Sequence, residues 1–100
     1  MTGPFRDHAI RDLRLVLLRE LADQPSYTCN EVILQRVAQS FGHNRTRDAI
    51  RAELRFLADI GAIRNVEEGD YMIATLTRRG HDHVEGLAVI EGVSKPSPRE

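Results

Sequence analysis

Four arginines fall within one short stretch, FGHNRTRDAIRAELRFLADIGAI, residues 41–63. Arg47, Arg51 and Arg55 recur at every fourth position, so on a helix they form a slightly drifting row beside the apolar side. Arg45 and Thr46 stand where such a helix begins. Backbone N–H groups at a helix start favour a phosphate, and side chains there meet base edges when the helix enters a major groove. Guanidinium is planar and presents a fork of donors, and a bidentate contact to guanine discriminates by about 1–3 kcal/mol. The chemistry on offer is recognition of double-stranded DNA. Arg47 is the first candidate for a base contact, Arg51 and Arg55 follow along the groove, and Arg64 lies beyond, within reach of phosphate. A second reading needs no DNA. Asp48 precedes Arg51 by three residues and Asp59 follows Arg55 by four, and such local pairs support an exposed helix by about 0.2–0.5 kcal/mol each. Glu53 falls near the edge of the apolar side, where it is expected to pair with an arginine from a neighbouring element.

Other reactive residues lead nowhere comparable. In HDHVEG, His81 and His83 point to different sides of a helix and only His81 and Glu85 share a face, which gives two ligands per chain where zinc takes roughly four. No metal site is assigned. His8 and His43 are isolated. Cys29 is the one cysteine, so neither an intrachain disulfide nor a paired-thiolate sensor can form, and a buried or half-buried small residue is expected. A glycine-rich phosphate loop, a nucleophile elbow and an HExxH pattern are all missing. The chain therefore reads as a non-enzyme with no cofactor and no catalytic residue.

One hundred residues supply one domain and one modest core. A net charge of −1 removes the strongly basic footprint of many nucleic-acid-binding domains, so DNA contact would have to come from local clustering. The longest apolar run, LVLL at residues 15–18, is far too short to cross a bilayer. The start, MTGPFRDHAI, lacks the basic and apolar segments of a secretory signal. A cytoplasmic protein with no membrane span is expected.

The elements that would carry the arginines follow from periodicity. Residues 6–23 place Ile10, Leu13, Val16, Leu17 and Leu21 on one side of a first helix. Pro25 breaks it. Asn30 can cap a second helix, EVILQRVAQSF, with Val32, Ile33, Val37 and Phe41 as its buried stripe and Gln35 and Gln39 outward. The third helix runs from about Thr46 to Ile60, with Ile50, Leu54, Leu57 and Ile60 inward and Gly61 at its left-handed end. AIRNVE, a glycine turn and YMIATL then read as a hairpin, and Thr77 can cap a short last helix, RRGHDHVEG.

The expected fold is mainly α with a small β-hairpin: a winged helix-turn-helix of three-helix core, two-stranded wing and C-terminal helix, spanning residues 1–93. Residues 94–100 form a loose Pro/Ser-containing tail. The wing tip, EEGD at 67–70, carries three carboxylates where phosphate contact needs cations, so Glu67, Glu68 and Asp70 should avoid DNA, while Arg64, Arg78 and Arg79 could still touch it. Leu15, Leu18, Leu87 and Ile90, with Val89, lie off the inward stripes and are expected to cover a second subunit of a homodimer.

LRELADQPSYTCNEVILQRVAQSFGHNRTRDAIRAELRFLADIGAI, YMIATLTRRGHDHVEG and VIEGVSKPSP resemble the small winged-helix proteins of Mu-like bacteriophages and prophages, commonly described as ArsR-like transcriptional regulators. The resemblance covers nearly the whole chain. It implies a phage or prophage setting and action inside the host cell. The expected function is that of a transcriptional regulator binding double-stranded DNA through the third helix; the alternative is a non-enzymatic adaptor that binds phage morphogenesis proteins during head assembly or DNA packaging.

Overall fold

The structure, a computed structural model, describes residues 4–97. Helix α1 (Pro4–Asp23) ends in a tight 3-10 turn over Pro25–Tyr27, and strand β1 (Thr28–Asn30) leads into α2 (Glu31–Ser40). Then follow α3 (Arg47–Asp59), β2 (Ile63–Glu68), β3 (Tyr71–Leu76) and α4 (Arg78–Val84). Three side-chain caps set the helix starts. Asn30 Oδ1 accepts from the Val32 and Ile33 amides at 2.9 and 3.0 Å, Thr46 Oγ1 from Ala49 at 3.0 Å, and Thr77 Oγ1 from Gly80 at 3.2 Å. Each satisfies donors that the first turn of a helix leaves without partners.

The sheet is antiparallel with strand order β1-β3-β2. It has three strands where the sequence announced only the β2–β3 hairpin. β1 is three residues long, too short for alternation to reveal, and it becomes a strand because Cys29 lies opposite Ala74 of β3. In the hairpin turn, Gly69 adopts φ +59, which suits glycine at the first central position of a two-residue turn between twisted strands.

The result is an α+β domain in which α1 is wrapped by α2, α4 and β3. This explains a correction. Leu15 and Leu18, expected at a dimer interface, are buried in the core of the chain itself alongside Leu13, Leu17 and Leu21, and Ile90 joins them. A helix enclosed on several sides buries more than one stripe. Of the four dimer candidates only Leu87 is open, at 77% exposure.

α2 is also rotated from expectation. Glu31, Leu34 and Ala38 face inward, whereas Ile33 and Phe41 are exposed and Val32 and Val37 half-buried. α3 presents Ile50, Leu54 and Leu57 to the core, with Ile60 packed at its margin. The C-terminal segment belongs to the body as far as Ser94: Val93 is buried, the Ser94 amide donates to the Arg11 carbonyl at 3.2 Å, and the Ser94 carbonyl meets His83 Nε2 at 2.8 Å. The last three residues of the expected tail, 98–100, lie outside the described residues. No helix among the described residues is long and apolar enough to cross a membrane.

Candidate functional site

The arginine row meets a carboxylate that the sequence reading passed over. Glu31 occupies the first turn of α2, immediately after the Asn30 cap, where the helix dipole favours a negative charge. Its side chain is 0% exposed. Arg47 Nε donates to Glu31 Oε1 at 2.6 Å, and Arg51 Nε reaches both oxygens at 2.8 and 2.9 Å. The Met72 amide of β3 completes the set by donating to Oε2. One carboxylate thus joins α2, α3 and the hairpin, with its acceptor capacity filled by charge-assisted bonds.

The remaining arginine donors turn to the hairpin tip. Arg47 Nη2 donates to the Asp70 carbonyl. Arg51 Nη2 lies 3.4 Å from the same oxygen and 3.5 Å from Glu67 Oε1. Arg47 also rests over the Tyr71 ring at 5.1 Å, a cation–π geometry. Burial pushes the Glu31 carboxyl up, but the bonds from Arg47, the Met72 amide and Arg51 outweigh it and hold the group below its ordinary value. Glu31 in turn raises Arg47. Two cations and two carboxylates, Glu31 and Glu67, leave the cluster nearly neutral.

The proposed DNA-contact residues therefore separate. Arg47 and Arg51 are brought together and are engaged within the chain. Thr46 uses its hydroxyl as the α3 cap, and Arg45, half-buried, receives Gln35 Nε2 on its carbonyl at 3.0 Å. Arg55 and Arg64 are exposed, and among the described residues no ion pair holds Arg45, Arg55 or Arg64. The open positions of α3 read Asp48, Ala52, Arg55 and Asp59, which mixes both signs. Neither expected local pair forms: Arg51 takes Glu31 in place of Asp48, and Arg55 does not reach Asp59. Arg79 Nε caps the end of α3 through the Ile60 carbonyl at 2.9 Å, while Arg78 is exposed.

Glu53 pairs with an arginine of another element, as its position suggested: Arg14 Nε lies 2.7 Å from Glu53 Oε1. The same guanidinium donates to the Gly92 carbonyl at 2.8 Å and sits 3.6 Å over the Phe56 ring, fixing the C-terminal segment to α1 and α3. Among the described residues, no group of three or more His, Cys, Asp or Glu side chains is placed to hold a metal. His83 is buried and acts as a clasp, its Nδ1 accepting from the Ile90 amide at 3.0 Å. His81 stands edge-on to Tyr27, ring centroids 5.5 Å apart. Cys29 is buried, and burial first, then the charge of Glu20, raises its thiol pKa.

Glu31 is the residue that sequence reasoning missed. A signal existed: Glu31, Leu34 and Ala38 fall at i, i+3 and i+7, which places all three on one side of a helix. The apolar weight of Val32, Ile33 and Phe41 concealed it.

The chain is 39% identical over 95 residues to the uncharacterized protein gp26 of Escherichia phage Mu, an overlap covering 95% of this chain and 98% of that one. It is 35% identical over 77 residues to an uncharacterized protein of Haemophilus influenzae, covering 75% of this chain and 74% of the other. No protein-family model matches it, and no solved structure does. With this extent of identity across almost the full length of both sequences, the chain belongs to the family of the phage Mu protein gp26.

Proposed function

We propose that this chain is a winged-helix domain that serves as a non-enzymatic protein-interaction adaptor in phage head assembly or DNA packaging, with α3 holding the domain together instead of reading DNA. One observation carries the reading: Arg47 and Arg51, the two side chains best placed at the start of α3 for base contact, are bound to buried Glu31. Freeing them for DNA would leave a carboxylate unpaired in the interior, which costs several kcal/mol. The acidic hairpin tip, folded against the same end of α3, adds charge of the wrong sign for phosphate. An apolar row on α2, with Ile33 and Phe41 exposed and Val37 between them half-buried, offers a surface of the kind that protein partners cover.

DNA binding, as in a transcriptional regulator of the ArsR-like kind, is the second reading. The order α1-β1-α2-α3-β2-β3 favours it, because it makes α3 the second limb of a helix-turn-helix. Arg55 and Arg64 would then be its phosphate contacts.

Fluorescence anisotropy with mixed duplex DNA at about 50 and 200 mM salt, on the wild type and on Arg55→Ala with Arg64→Ala, separates the two. The adaptor reading expects no tight binding at either salt. Affinity that falls steeply with salt and with loss of the two arginines overturns it, as would stronger binding after Glu67, Glu68 and Asp70 are changed to lysine. In the positive arm, Ile33→Asp with Phe41→Asp is expected to abolish co-purification with phage head or packaging proteins while leaving the circular dichroism unchanged.

A further inference from the structure

The strand order β1-β3-β2 leaves β2 at a border of the sheet. Its register shows which backbone groups face the opening. The Met72 amide turns away from β2 to reach Glu31, so even-numbered residues of β3 bond toward the β1 side and odd-numbered ones toward β2. The β2 partners of Tyr71, Ile73 and Thr75 are Glu68, Val66 and Arg64; these three bond inward. Asn65 and Glu67, which alternate with them, present N–H and C=O to the open edge, and no backbone bond among the described residues engages them there. The side chains of Arg64, Val66 and Glu68 share one face of the sheet. All three are exposed, Val66 at 58%.

We propose that this edge pairs with the same edge of a second copy of the chain, antiparallel about a two-fold axis through Val66, so that the two three-stranded sheets become one continuous sheet. Backbone bonding requires outward residues to face outward residues, which sets Asn65 opposite Glu67 of the second copy. On the face where side chains approach most closely, Val66 then meets Val66, and Arg64 meets Glu68 twice over. The strand is self-complementary, as a two-fold interface demands. Charge selects this register. Centring on Asn65 would set Arg64 against Val66 and lose both ion pairs, while centring on Glu67 would set that carboxylate against itself. Arg64 and Glu68 cannot serve each other within one chain, being four residues apart along an extended strand, about 13 Å. Charges on an edge strand ordinarily discourage pairing; here their arrangement discourages every register but one. The proposal does not depend on the adaptor reading, since either function admits a dimer.

Charge reversal in sedimentation equilibrium tests it. The wild type is expected to dimerise between micromolar and sub-millimolar concentration. Arg64→Glu alone and Glu68→Arg alone each set like charges opposite one another twice and should weaken the dimer at least about tenfold. An equimolar mixture of these two variants should recover wild-type affinity as a heterodimer, because every pair is again of opposite sign. Amide exchange supplies a readout that does not depend on charge: the Asn65 and Glu67 amides should gain protection as concentration rises, and the Val66 amide, already bonded to β3, should not change. A wild type that stays monomeric at sub-millimolar concentration, or a dimer indifferent to both reversals, overturns the proposal.

Discussion

A carboxylate that is fully enclosed and still ionised is the most consequential single residue of this chain. Glu31 keeps its charge because two guanidinium groups and one amide stand where water would otherwise be. Replacing it with Gln keeps the shape, removes the charge and turns an NH2 group toward donors. We expect Glu31→Gln to lower stability by about 2–4 kcal/mol, toward the low end because both arginines keep some access to water. Urea titrations read this directly. Folding lowers the pKa of Glu31 from its ordinary 4.5, so the unfolded chain takes up the proton more readily than the folded one. The stabilisation is complete above pH 4.5 and is lost as pH falls from there through the depressed folded value. Wild type should therefore lose stability over that acid range more steeply than Glu31→Gln. Equal slopes would show that another group governs the acid limit.

At the scale of elements, α4 depends on a close approach. A Cβ on Gly80 would collide with the Ala62 backbone carbonyl and come within 2.6 Å of Leu76 Cδ1. The carbonyl is fixed by bonds from Thr77 and cannot yield as a side chain would. Gly80→Ala is expected to cost about 3 kcal/mol. Gly86→Ala, at φ +80 with open space around it, should cost only about 1 kcal/mol through its backbone conformation. Thermal melts of the two variants make the comparison, and equal losses would mean that α4 can shift away from Ala62.

Elements were legible in the sequence wherever their signals were local. The caps at Asn30 and Thr77, the start of α3 near Thr46, its inward side and the hairpin all rest on neighbours within a few residues. What the sequence concealed depends on distant partners. β1 is a strand only because β3 lies beside it, and Leu15 and Leu18 are core only because other elements close around α1. The same holds at the site. The arginine row was visible, but its partner, 16 and 20 residues upstream, sits on the Leu34–Ala38 side of α2, which the stronger apolar pattern of Val32, Ile33 and Phe41 masked.

For the whole molecule, a net charge of −1 describes the sum and hides the distribution. Of the fourteen basic side chains, four among the described residues are engaged within the fold: Arg14 on Glu53, Arg47 and Arg51 on Glu31, Arg79 on the end of α3. What remains on the outside is mixed in sign, a surface that favours discrimination between partners over indiscriminate attraction to a polyanion.

The Glu31 cluster also bears on the order of events during folding. Its bonds span 16, 20 and 41 residues, so no local segment can assemble it, and a lone carboxylate gains nothing from entering the interior before its donors arrive. The cluster should lock last and release first. Stopped-flow measurements on Glu31→Gln should then show faster unfolding with an almost unchanged refolding rate, a φ-value of about 0–0.3. Slowed refolding would instead place the cluster in the nucleus. On the expected result, Glu31 acts as a kinetic latch, governing how long the native state lasts once it has been reached.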